Sequence, residues 1–155
     1  MLRGPAAPDP MTIDIEVEDP AWADALPDAS ALARQAALAA LPAVPTDDIA
    51  ILLTDDPAVQ DLNARFRGQD KPTNVLSFPS PEGSGSLGDI ALAYGVCVRE
   101  AAEQGKPLAH HLQHLVAHGV LHLLGHDHLD DQEAEAMEAE ERRILAGLGV
   151  PDPYA

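Results

Sequence analysis

The chain has 155 residues, 46% hydrophobic and 23% charged, a composition that suits one globular domain and excludes a disordered segment. Its net charge of −17, with only nine basic residues, argues against broad electrostatic attraction to nucleic acid or anionic membrane. The single cysteine, Cys97, excludes a disulfide framework and a cysteine-based zinc cluster. With no secretory leader and no apolar run approaching about 18 residues, a soluble cytoplasmic protein is expected.

Residues 1–10 carry three prolines and a glycine and read as a loose N-terminal tail. "MTIDIEV" alternates apolar and polar positions, which predicts a strand with Ile13, Ile15 and Val17 on one face. "ASALARQAALAAL" (29–41) joins strong helix formers to leucines at helical spacing. "DIAILLT" (48–54) is a mostly apolar run of strand length, expected at the centre of a sheet. Asp56 as N-cap and Pro57 in the first turn open a helix that Gly68 closes after Arg67. Val75–Phe78 and Asp89–Ala93 predict two strands joined by a Pro/Gly/Ser loop. "GVCVREAAEQG" is a short helix, and Pro107 opens a longer one from Leu108 to Leu124, stopped by Gly125. "DDQEAEAMEAEERRILAGLG" is a final helix, with Arg142 and Arg143 near its end as the helix dipole favours. The expected fold is α+β: one domain over 11–147, a mixed sheet of about four strands and four to five helices, and a short tail over 148–155.

Four of the seven histidines fall in "HGVLHLLGHDH" (118–128). His118 and His122 are i, i+4 and leave the same helix face, a spacing that lets two imidazoles share one tetrahedral cation. Gly125, in a left-handed conformation, would turn the chain so that His128 closes the site. Three histidines leave one coordination position open, as in catalytic zinc sites. His110 and His114 continue the ladder backwards, so His114/His118 is an alternative helical pair. The Gly125 turn favours His118, His122 and His128 as ligands of one Zn²⁺ per chain. His126 is expected not to be a ligand, and Asp127 to hold an imidazole tautomer. Peptidases with this spacing carry a glutamate after the first histidine, where this chain has Gly119.

"HGVLHLLGHDH", "FRGQDKPTNVLSFP" (66–79) and "LGDIAL" (87–92) together resemble the YbeY family of bacterial endoribonucleases, over about Ile13 to Leu145. Family members usually have tyrosine where this chain has His126. The resemblance implies a three-histidine zinc site. It also implies metal-dependent cleavage of single-stranded RNA in ribosomal RNA maturation and ribosome quality control. The implied partners are single-stranded ribosomal RNA and the small ribosomal subunit with its basic proteins, not membrane and not DNA.

Arg67 matches the arginine of the family motif and is the expected catalytic residue, gripping phosphate oxygens and stabilising the charge that grows on them. Arg65, Lys71, Asn74, Ser77 and His114 are further candidates for RNA contact, with Thr73 beside them. For Arg65 and Lys71 a surface role at a helix end is an equal reading, and for Asn74 and Ser77 turn chemistry is. Asp89 could assist water. The acidic 130–141 segment reads as a solvated helix face from which Glu140 or Glu141 could reach the pocket. Two other functions compete with the nuclease: a zinc-stabilised ribosome-associated binding protein without turnover, and a zinc hydrolase of another substrate class. The acidity of the chain favours the first, and Gly119 counts against a peptidase.

Overall fold

The computed structural model describes residues 13–42, 47–81, 83–127 and 129–154. The N-terminal stretch 1–10 and His128 therefore lie outside the described residues. Each segment patterned as a strand forms one: β1 (Ile13–Val17), β2 (Asp48–Thr54), β3 (Val75–Pro79) and β4 (Ser86–Ala93). They make one sheet in the order β1-β2-β4-β3. β1, β2 and β4 run parallel, and β3 returns antiparallel against β4, so the sheet is mixed and β3 is an edge.

Period-two alternation then distributes the apolar side chains. Ile49, Ile51, Leu53, Ile90 and Leu92 point into the larger core. Leu52, Ala91 and Ala93 point to the other face, with Leu76 and Phe78 of β3. The central strands are buried on both sides, which is why β2 reads as a continuous apolar run.

Six helices form among the described residues: α1 (Ala21–Ala25), α2 (Ala29–Ala40), α3 (Asp56–Arg67), α4 (Tyr94–Glu103), α5 (Leu108–Leu123) and α6 (Asp131–Gly147). Sequence periodicity predicts five of them and misses α1. Five residues are too few to show a helical period, and this turn is held by tertiary contacts. Trp22 is wholly buried, donates its indole N–H to the Thr54 carbonyl at 3.0 Å and meets Tyr94 edge-on. The N-cap of α3 is Asp55, one residue before the expected Asp56, because Asp55 Oδ1 accepts the Ala58 N–H at 2.9 Å.

α5 is the axis of the molecule. Leu112, Leu115, Val116, Ala117, Val120 and Leu121 are buried along it, between α2, the sheet, α4 and α6. α3 covers the opposite face through Val59 and Leu62. Where α5 crosses the sheet it does so at Gly119. A Cβ there would lie 3.0 Å from two methyls of Ile90 and 3.1 Å from Ser77 Oγ. Ser77 Oγ donates instead to the Gly119 carbonyl at 3.2 Å, tying helix to edge strand.

Candidate functional site

The C-terminus of α5 ends in a paired-bond cap. The Gly125 N–H bonds the His122 carbonyl and the His126 N–H reaches back to the Leu121 carbonyl, both at 3.0 Å. Gly125 has φ of +98°, the left-handed conformation expected of it. The chain therefore reverses and brings His126 and Asp127 to the mouth of a cleft of about 620 Å³. His118 and His122 form one wall. Arg67 and Asn63 of α3, Lys71, Thr73 and Asn74 of the following loop, and Val75, Ser77 and Pro79 of β3 form the other.

His118 Nε2 and His122 Nε2 converge to 3.1 Å, with their rings at 82° to each other. Two tetrahedral zinc ligands with bonds near 2.0–2.1 Å place their nitrogens about 3.3 Å apart, so this pair fits a shared cation closely. No set of three or more His, Cys, Asp or Glu among the described residues is grouped to hold a metal. His128, the expected third ligand, is not one of those residues. His114 is drawn the other way, its Nε2 bonded to Glu141 Oε1 at 2.9 Å, and its ring centroid stands 6.4 Å from that of His118. His110 lines a separate cavity beside the C-terminal residues. The described geometry thus favours His118/His122 over His114/His118 as the convergent pair.

Glu141 is the residue sequence reasoning undervalued. The 130–141 segment is solvated except where the helical period turns Met137 and Glu141 inward with Ile144 and Leu145. The Glu141 side chain is 1% exposed and meets three partners: His114 Nε2 at 2.9 Å, His118 Nδ1 at 3.0 Å and the Tyr154 hydroxyl at 2.8 Å. Burial works to raise its pKa, but the bonds from His114, His118 and Tyr154 outweigh it and hold the carboxyl at about 2. An ionised Glu141 accepts from His118 Nδ1–H, which leaves the Nε2 lone pair for His122 or a cation. Glu140 faces outward and pairs with Arg143 at 2.8 Å.

Arg67 reaches from the end of α3 to the open edge of the sheet. Its Nη2 donates to the Ser77 carbonyl at 2.7 Å, and its guanidinium lies 5.8 Å from the Phe78 ring centroid. That bond uses one of five N–H donors on a side chain that remains exposed. Asn74 is built into the fold, donating to Glu100 at 3.0 Å and accepting from the Val75 N–H at 2.7 Å. Ser77 is buried and Lys71 is exposed; both line the cleft. Asn63, absent from the sequence-based candidates, is buried and holds the loop by donating to the Lys71 carbonyl at 2.9 Å. Three sequence candidates lie elsewhere. Arg65 pairs with Asp61 on the outer side of α3, Asp89 is not among the residues lining the cleft, and His114 faces Glu141. Two cations and three imidazoles line the cleft against one carboxylate, Asp127, so this region is locally basic in an acidic chain.

A family model described as "Endoribonuclease YbeY" matches residues 15–149. An "Endoribonuclease YbeY" of Paramagnetospirillum magneticum is 49% identical over 92% of this chain and 94% of its own length. One from Rhodopseudomonas palustris (strain BisB18) is 54% identical over 94% of this chain and 93% of its own. Against another, from strain HaA2, identity is 58% over 70% of this chain, and the match spans 62% of that relative's length. The solution structure of TM1509 from Thermotoga maritima superposes with a TM-score of 0.56 at 24% identity, covering 89% of this chain and 92% of that one, and so shares the fold. The matched span contains β2, β3, β4, most of β1, α5 and both convergent histidines, and this chain belongs to the Endoribonuclease YbeY family.

Proposed function

We propose that this chain is a zinc-dependent endoribonuclease that cuts single-stranded ribosomal RNA in the cytoplasm, during maturation and quality control of the small ribosomal subunit. The observation that carries this reading is one cleft holding both the convergent Nε2 atoms of His118 and His122 and the guanidinium of Arg67. His118 and His122, with His128 as the third ligand, would hold the ion. Zinc held there would supply Lewis-acid charge for a phosphoryl oxygen and would lower the pKa of water toward neutrality.

The chain's own residues do the rest. Glu141 fixes the His118 tautomer. Arg67, tethered at Ser77 O, offers its remaining donors to phosphate oxygens as their charge grows. Lys71 adds a second positive charge at the mouth of the cleft. Position 119 carries no side chain, so the base that peptidases of this spacing use is missing, which supports a phosphodiester over a peptide substrate. No helix among the described residues is long and apolar enough to cross a membrane.

The test is cleavage of a single-stranded ribosomal RNA fragment, with casein in parallel, beside metal analysis of each protein. Wild type should carry one zinc per chain and cut RNA but not casein, and a chelator should abolish cutting. His122→Ala should lose both metal and activity. Arg67→Ala should keep the metal and lose about 10²- to 10³-fold in rate, with Arg67→Lys recovering only part. RNA cleavage that survives chelation and His122→Ala would refute the metal reading.

A further inference from the structure

The last turn of α3 sets Arg65, Phe66 and Arg67 in succession beside the edge strand. Phe66 is 62% exposed, the most exposed aromatic ring among the described residues. A core role accounts for Phe78, which packs with Val59 and Leu76 under α3. It does not account for Phe66, whose ring meets Phe78 edge-on at 5.5 Å and otherwise stands at the surface. The Arg65 guanidinium lies 5.4 Å from its centroid. Arg65 is otherwise paired with Asp61, both side chains about 60% exposed, a screened pair that gives way easily.

We propose that Phe66 is a stacking platform for one unpaired base of the RNA, just outside the cleft that Arg67 lines. The inference rests on the RNA-directed function above and names where the strand is gripped. Charge complementarity selects the occupant. Arg65 and Arg67 flank Phe66 in the chain, and Arg67 and Lys71 line the adjoining cleft, a cationic stretch in a −17 chain that suits a polyanion. An exposed ring with one guanidinium beside it, next to the cleft that Arg67 and Lys71 line, suits a base with phosphates on either side, and stacking accepts any base because each has a π-face. Duplex bases are already stacked on each other, so the platform selects single strands. An apolar protein partner would want a contiguous apolar patch, whereas Phe66 is followed by the exposed, polar Gln69 and Asp70.

The experiment compares full-length wild type, Phe66→Leu and Phe66→Trp for binding of a fluorescein-labelled single-stranded RNA and the matching duplex, at one salt concentration. Because the ring is exposed, both variants should unfold at the wild-type temperature. Phe66→Leu stays apolar but cannot stack, and its Kd for the single strand should rise roughly 5- to 100-fold with little change for the duplex. Phe66→Trp should bind like wild type. Its added emission, above that of the buried Trp22, should be quenched by the single strand and not by the duplex. Wild-type affinity in Phe66→Leu, or unquenched emission of Phe66→Trp at saturating RNA, would overturn the platform while leaving the nuclease reading intact. Normal RNA binding by Phe66→Leu with lost co-sedimentation on small ribosomal subunits would assign the ring to a protein partner and overturn it too. Failure of wild type to bind single-stranded RNA at all would sink the proposed function and the platform together.

Discussion

The residue that follows the first of the two convergent histidines carries no side chain. In peptidases of the same histidine spacing, the residue after the first histidine takes a proton from water. Here that position is Gly119, pressed against Ile90 and Ser77 on the side of α5 that packs on the sheet. Gly119→Glu therefore does not restore a peptidase. It drives a carboxylate into a wall of Ile90 methyls and displaces the Ser77–Gly119 bond. An overpacked, unpaired buried charge of this kind should cost more than about 3 kcal/mol in urea unfolding, with no gain of casein cleavage. A stable Gly119→Glu protein would mean that α5 can lift from the sheet, contrary to the packing. At the same scale, the cleft was only partly legible in the sequence. His118 and His122 announce themselves because four residues of one helix fix their relation. Glu141 does not, since 23 residues separate it from His118 and only the packing of α6 on α5 joins them. Asn63 and Phe66 are silent for the same reason: burial of the one and exposure of the other are properties of the assembled layers.

Among the elements, the turn at the end of α5 carries the site. Strand patterns, the stop of α3 at Gly68 and that of α5 at Gly125 were readable because each depends on neighbours within about five residues. α1 was not, because its five residues gain their order from Trp22 in the core rather than from their own period. Gly125 joins two jobs: its φ of +98° completes the two cap bonds and aims the following residues back at the cleft. Gly125→Ala places a Cβ in a conformation that L-residues adopt at a cost of about 1–2 kcal/mol. The added methyl meets nothing within 4 Å, so the penalty is conformational rather than steric. The variant should fold, lose about that much stability in thermal or urea unfolding, and retain less zinc than wild type after dialysis. Gly125→Asn, which tolerates the left-handed region better, should lie between the two. Equal zinc retention in all three would separate the turn from the metal site.

Over the whole molecule, the residues after α6 fasten distant parts to one another. Val150 is buried, the Pro153 carbonyl accepts from Lys106 at 2.6 Å, Asp152 pairs with Arg142 at 3.1 Å, and the Tyr154 hydroxyl ends on Glu141. Tyr154 keeps its proton throughout the neutral range, because burial and then the Glu141 carboxylate both push its pKa upward. It is thus a permanent donor to the carboxylate that bonds His118, and through Glu141 the residues after α6 are linked to a side chain that lines the cleft. Removing that donor leaves Glu141 with its two imidazole partners. Tyr154→Phe should lose about 1.5–3 kcal/mol, the usual worth of a hydrogen bond to a charged group. Zinc affinity, measured by competition with a chromophoric chelator, should fall only modestly, because the His118 bond survives. Glu141→Gln removes the charge itself and should weaken zinc by about 10- to 100-fold, the ordinary effect of losing a carboxylate behind a metal-bound histidine. If the two variants weaken zinc equally, the tail sets the orientation of Glu141. If Glu141→Gln binds zinc like wild type, the carboxylate serves packing alone, and the convergence of His118 and His122 is held by α5 without it.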